Sequence, residues 1–305
     1  MRLKMIFATL TLSSFGLASG PELWVGSYFG DTIQRYDLAT GNAIGTVGTG
    51  KLDGTLGMSL GSDGAVYVCS ELTGSVEKFD QSGTWESRFL NASSPTGIAF
   101  DKLGNAFVSQ FDLDSVAKFS PSGTNLGTFV SPGSGGLDGP DLGITFGPDG
   151  EFYVPSFYGG DVMKYDHATG AFLGKFIPAG SGGLTQPRQM LWRDGKVYVS
   201  SDNGSKVLRY DGTTGAFIDT FVAAGSGGLN GATGLAFSGD SLYVTSWKNN
   251  RVLRYDASTG AFQGAFVVSG LNGPVSLLVV PEPNTLLVSV LGCGWFAKRR
   301  LMKRR

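Results

Sequence analysis

The stretch GLAFSGDSLYVTSWKNNRVLRYDASTGAFQGAFV, residues 234–267, holds four short apolar runs: Gly234–Phe237, Leu242–Ser246, Val252–Asp256 and Ala261–Val267. Polar or glycine-rich turns of hairpin length separate them, a spacing that predicts four antiparallel strands. The runs are more apolar than strict in-and-out alternation requires, as expected of a sheet covered on both faces.

The same unit recurs along the chain. A basic residue followed by an aromatic stands at Arg35-Tyr36, Lys78-Phe79, Lys118-Phe119, Lys164-Tyr165, Arg209-Tyr210 and Arg254-Tyr255, with aromatic spacings of 43, 40, 46, 45 and 45. Each copy runs on into a glycine turn (Gly41, Gly83, Gly123, Gly170, Gly215, Gly260), and a β-rich run precedes each. Four strands at this period predict the blades of a β-propeller. The body opens in mid-unit at Leu23-Trp24-Val25 and closes on an unpaired strand at Pro274–Val279. Together these fragments make one blade, which closes the ring and leaves no exposed edge. Six units over 23–280 average 43 residues. The expected fold is therefore all-β: a six-bladed β-propeller of four-stranded blades, the C-terminal strand completing the first blade. An N-terminal signal helix and a C-terminal hydrophobic helix are expected to flank it.

Composition agrees. Of 305 residues 48 are glycine, charged residues are 16% and hydrophobic residues 41%. Glycine at that level disfavours long helices, since each in a helix interior costs about 1 kcal/mol relative to alanine. The formal net charge of −1 hides an asymmetry: residues 22–280 carry 16 Lys/Arg against 24 Asp/Glu, so the body is near −8. A body of that sign repels phosphate backbones, so no nucleic-acid partner is expected.

The two basic ends read as addresses. Residues 1–19 have a basic start at Arg2 and Lys4, an apolar run from Met5 to Leu12 and small residues at Gly16, Ala18 and Ser19, the layout of a secretory signal peptide. Residues 281–305 carry Pro281-Glu282-Pro283, an apolar run over Thr285–Ala297, and a terminal cluster that includes Lys298, Arg299 and Arg300. In that order the three features resemble the PEP-CTERM sorting domain of bacterial exported proteins. The resemblance covers only this tail. It implies recognition by an exosortase with processing near the PEP motif, and a host that often makes exopolysaccharide. The apolar run spans about 20 Å as a helix, short of a hydrocarbon core of about 30 Å, which snorkelling arginines and local thinning can bridge. Cations at both ends are expected to stay cytoplasmic while the body is translocated. The expected route is an inner-membrane-anchored precursor, then the cell surface or the extracellular space, as a monomer. Cys293 lies in the tail, so Cys69 has no disulfide partner once the tail is removed.

The body resembles NHL-repeat and related six-bladed propellers, a family that includes lactonases, lyases and pure binding modules, so fold says little about activity. Residues repeated in every blade read as scaffold; those that depart in one blade are candidates for function. Asp37, Asp80, Asp166, Asp211 and Asp256 stand at turn entries, where a short carboxylate bonds the backbone two residues on. His167, the only histidine, replaces Leu38, Gly212 and Ala257 of sister blades and reads as an exposed turn residue. With one histidine and one body cysteine, neither a zinc site nor a histidine-dependent lyase is expected. The resemblance to gluconolactonase-type calcium enzymes implies asparagines ahead of the first-strand glycine. Here Thr96 and Thr233 hold those positions, so a lactonase is disfavoured. The two carboxylates of Asp112-Leu113-Asp114 are too few ligands for calcium, and no cofactor or metal is expected.

The second strand ends almost uniformly, at Ser27, Ser70, Gln110, Ser156, Ser201 and Ser246, and the next residue varies: Tyr28, Glu71, Phe111, Phe157, Asp202 and Trp247. Equivalent positions in a radial array form a ring, so these six are expected around the channel mouth, as a platform for a sugar or peptide. Arg188 stands where other blades have Leu56, Thr96, Leu142, Thr233 and Val275, placed to pair with Glu71 or Asp202 or to take an anion. The expected function is an exported surface or matrix binding module for a glycan or protein. The alternative is a hydrolase or lyase, lactonase-like or carbohydrate-active, with Glu71 or Asp202 as acid/base.

Overall fold

The computed structural model describes residues 20–282. Among them stand six four-stranded antiparallel sheets. Blade one combines Pro274–Val280 with Glu22–Ser27, Thr32–Asp37 and Ala43–Val47. Trp24 pairs with Leu278 and Val25 with Leu277, so the expected closing strand is in place. Blades two to six follow in chain order, each running from an inner strand outward. No helix among the described residues is long and apolar enough to cross a membrane. The expected signal segment 1–19 and the tail from Pro283 on, with Arg299 and Arg300, lie outside the described residues.

The apolar excess of the strands has a direct cause. Second strands are buried on both faces: every residue of Glu22–Ser27, Val66–Ser70 and Phe152–Ser156 is buried. The core is not one centre but six clusters, each between neighbouring blades. Trp24, Ile33 and Val47 of blade one meet Val66, Val68 and Phe79 of blade two, and Leu23, Val25 and Leu277 of blade one meet Tyr243 and Val252 of blade six. The repeated basic residue is scaffold: Lys78, Lys118, Lys164 and Arg209 lie over Tyr67, Phe107, Tyr153 and Phe221. So are the turn aspartates. Asp166 Oδ1 accepts from the backbone of Ala168 and Thr169, and Asp211 Oδ1 from Thr213 and Thr214.

Around the channel the inner strands approach so closely that glycine is required. A Cβ on Gly57 would stand 2.5 Å from the Thr96 carbonyl oxygen, and one on Gly143 would run into that of Arg188. Four inner strands also break register near one end, between Thr55 and Met58, Pro95 and Ile98, Pro187 and Met190, and Ala232 and Leu235. A hydroxyl from the second strand caps three of these bulges: Ser109 Oγ, Ser200 Oγ and Thr245 Oγ1 accept from Gly97, Gln189 and Gly234 N at 2.7, 2.9 and 2.6 Å. Bulges re-aim side chains, and these turn Leu56, Thr96 and Arg188 toward the channel. Blade four departs most: its inner strand is only Thr145–Phe146, with an isolated bridge from Pro140 to Ser156, so Asp141 stands outside the ladder.

Candidate functional site

The serine at the end of the second strand holds the loop that leads into the inner strand of its own blade. Ser27, Ser70, Ser156, Ser201 and Ser246 Oγ accept from Asn272, Asp53, Asp138, Thr185 and Asn230 N at 2.8–3.0 Å. The chain then turns tightly, through 3-10 turns at Tyr28–Gly30, Phe111–Leu113 and Trp247–Asn249, into the left-handed residues Asp31, Asp114 and Asn250. The side chains of these last three accept from Gly54, Gly139 and Gly273 N of the next blade at 2.9, 2.7 and 2.8 Å. Asp114 is thus an interblade brace. Asp112 accepts from the Ser94 hydroxyl, so the two carboxylates of that loop serve separate structural bonds.

These turns rim a mouth enclosing about 280 Å³, lined by Tyr28, Phe29, Glu71, Thr96, Phe111, Asp141, Phe157, Tyr158, Arg188 and Trp247, together with Leu56 and Val275. Six of the seven residues expected to bind ligand therefore converge. The seventh, Asp202, is buried beside them, 2% exposed, and bonded to two of them. Glu71 and Asp202, on blades two and five, stand opposite in the ring, and aromatics fill the arcs between. Phe111, Phe157 and Tyr158 form one cluster with centroids 5.0–6.0 Å apart. Tyr28, Phe29 and Trp247 form the other, with Phe29 5.1 Å from Tyr28 and 6.1 Å from Trp247.

Arg188 is held by two carboxylates and a ring. Its Nε donates to Asp202 Oδ2 and its Nη1 to Asp141 Oδ2, both at 2.8 Å, and its guanidinium carbon lies 4.4 Å from the Phe157 centroid. Trp247 Nε1 donates to Asp202 Oδ1 at 3.0 Å, and Lys248 Nζ stands 3.9 Å from the same oxygen. Of the alternatives expected for Arg188, Glu71 or Asp202 or an anion, the structure has Asp202, and it adds Asp141 as a second partner. Burial works against the Arg188 cation, but Asp141 and Asp202 outweigh it and hold the guanidinium above its ordinary value. Burial raises Asp141 above the usual carboxylate range, and Arg188 only partly offsets it.

Glu71 differs in kind. Tyr28 Oη donates to its Oε2 at 2.7 Å, while Oε1 accepts no hydrogen bond among the described residues. Burial pushes Glu71 up, Asp141 and Asp112 push the same way, and Tyr28 and Arg188 oppose them. Burial and the bond to Glu71 raise the Tyr28 phenol in turn.

Thr96 lines the mouth, but its hydroxyl is bound to Pro140 O at 2.8 Å and Ser109 Oγ at 2.9 Å, and that of Thr233 to Thr245 and Pro274 O. His167 lies at the other end of blade four, in the turn after Asp161–Tyr165. There Glu151, Asp166 and His167 could hold a metal ion, their ligand atoms lying within 4.8 Å of one another. However, Asp166 Oδ1 already accepts three turn donors and Glu151 Oε2 the His167 backbone. Sequence reasoning missed Asp141, Phe29 and Tyr158. Asp141 had a signal: its column reads Thr55, Pro95, Pro187, Ala232 and Pro274 in the other blades, and only blade four carries a charge.

No family model matches the chain, and no curated protein matches it either. Solved structures do. A chain of the nidogen/laminin complex is 17% identical with a TM-score of 0.70, over 86% of this chain and 98% of that one. A protein of unknown function from Bacteroides caccae is 14% identical (TM-score 0.68, 87% and 100% covered), and a streptogramin B lyase 16% (TM-score 0.62, 88% and 92% covered). At these identities the likeness is one of fold, a propeller found both in a binding complex and in a lyase.

Proposed function

We propose that this chain is an exported binding module whose ligand seats in the aromatic-rimmed channel mouth. The observation that carries the reading is the state of the polar groups there. Arg188, Asp141 and Asp202 are bonded to one another, which leaves a rigid, shaped, largely aromatic surface with the Tyr28–Glu71 pair set into it. Such surfaces bind through ring faces, with a few oriented polar groups setting specificity. Export would follow from the signal-like start and the sorting-like tail, through an exosortase acting near Pro281, Glu282 and Pro283, with release to the cell surface or beyond.

A glycan and peptide array read with the full chain tests this. Trp247→Ala is expected to weaken any hit by roughly tenfold or more, as for a central aromatic anchor. Hits that ignore Trp247, or no hit at all, would sink it.

One observation favours a second reading, a hydrolase or lyase: burial holds the Glu71 carboxyl above the usual carboxylate range and one of its oxygens is free, as a general acid/base needs. Asp202, offered as its alternative, has both oxygens occupied by Arg188 and Trp247. A virginiamycin B lyase from Staphylococcus aureus, similar in fold at 15% identity, is described as catalytically inactive when a histidine is replaced by alanine. The one histidine here stands away from the mouth. Turnover of a lactone or polysaccharide that Glu71→Gln abolishes would favour this enzyme.

A further inference from the structure

We propose that the channel mouth selects a ligand bearing an ammonium group, with Glu71 as its counter-ion and the Tyr28 and Phe111 rings beside it. The inference rests on the binding reading above and names the ligand's chemistry.

Charge bookkeeping is the first argument. Glu71, Asp112, Asp141 and Asp202 stand in or at the mouth against Arg188 and Lys248. The one cation that lines the wall is neutralised: Arg188 is held between two buried carboxylates at 2.8 Å each, its guanidinium against Phe157. An anionic ligand that reached the remaining N–H groups of Arg188 would lie beside both carboxylates and be repelled by them. A cation meets no such barrier.

Glu71 supplies the second argument. Tyr28 fixes one of its oxygens, and the other accepts nothing from the described protein, so a preoriented acceptor faces the cavity without a donor. Burial of that carboxylate makes a compensating positive charge more valuable than it would be in water. The walls complete the match: six aromatic rings line the mouth, and a ring face attracts an ammonium through its quadrupole. The volume of about 280 Å³ admits a headgroup rather than a chain of sugars: a quaternary ammonium, a protonated amino sugar or the end of a lysine side chain.

Calorimetry of the full chain tests the claim with matched probes: choline against its neutral isostere 3,3-dimethylbutan-1-ol, and glucosamine against N-acetylglucosamine. The charged member of at least one pair is expected to bind roughly tenfold or more tightly than its neutral partner. Which pair discriminates tells a quaternary from a primary ammonium. Glu71→Gln should remove that preference. Choline does not titrate, so its affinity should fall as the pH is lowered through the raised Glu71 value, where Tyr28, Cys69, Asp112, Asp141 and Arg188 are the groups facing the carboxylate. Neutral probes that bind as well as charged ones overturn the ammonium claim and leave the binding reading standing. So does an array hit on an uncharged glycan with no response to either charged probe. The charged-to-neutral ratio is read on the unaltered protein, so the test survives a Glu71 variant that fails to fold.

Discussion

Arg188 is the residue on which the mouth depends, because it is the cation that bonds Asp141 and Asp202 together. Both acids are nearly inaccessible, 1% and 2% exposed. Removing one partner from a buried ionic group is strongly destabilising because it strands the other charges. Arg188→Met is therefore expected to cost about 3–5 kcal/mol in urea unfolding. Adding Asp141→Asn and Asp202→Asn to it should recover most of that loss, since no buried charge is then left alone. A triple variant no more stable than Arg188→Met would show that the network is not the cause. The Arg188 column was legible as a departure, and so was the ring of residues after each second strand, because both are read by lining up repeats. The partner was not. Asp141 reaches Arg188 across a blade boundary, 47 positions earlier, and only the closeness of neighbouring inner strands brings them together.

At the scale of the strand, the channel wall is built from bulges, and their sequence signature is a glycine followed by apolar residues. The glycine was legible as a strand start; its cause was not. Gly57, Gly97, Gly143 and Gly234 have no room for a Cβ because the next blade's backbone lies against them. Gly143→Ala would drive its methyl into the Arg188 carbonyl, which also accepts from Gly143 N at 2.9 Å. It is expected to cost about 1–3 kcal/mol, as overpacking does, and to shift Arg188 enough to change probe affinity at the mouth. Gly45→Ala, whose Cβ would meet nothing within 4 Å, is the control and should leave both unchanged. The short inner strand of blade four could not be foreseen. Gly143–Phe146 reads like its sisters, but the chain before it is drawn out of the ladder where Asp141 turns to Arg188.

For the molecule as a whole, the period and the two half-blades made the ring legible, since a repeat whose last unit lacks three strands and whose first lacks one has a single economical closure. The energetic consequence is that the first blade's seam is shared by both ends of the body. Leu277 is buried between blades one and six and pairs with Val25. Leu277→Asp places an unpaired charge there and is expected to cost about 4 kcal/mol or more, lowering the unfolding transition of the entire ring. Leu103→Asp, at a site 80% exposed, should leave the melting curve where it was. A Leu277 variant that melts like Leu103→Asp would mean that the seam is dispensable.

The seam also has a direction. Glu22 pairs with Val280, while Ser27, at the opposite end of the same strand, leads into Tyr28 at the rim. Entry and exit of the body therefore lie side by side on the face turned away from the aromatic opening. Anything that grips the chain just before residue 22 or just after residue 280 holds the wheel by its back, and the opening then looks outward, toward whatever passes.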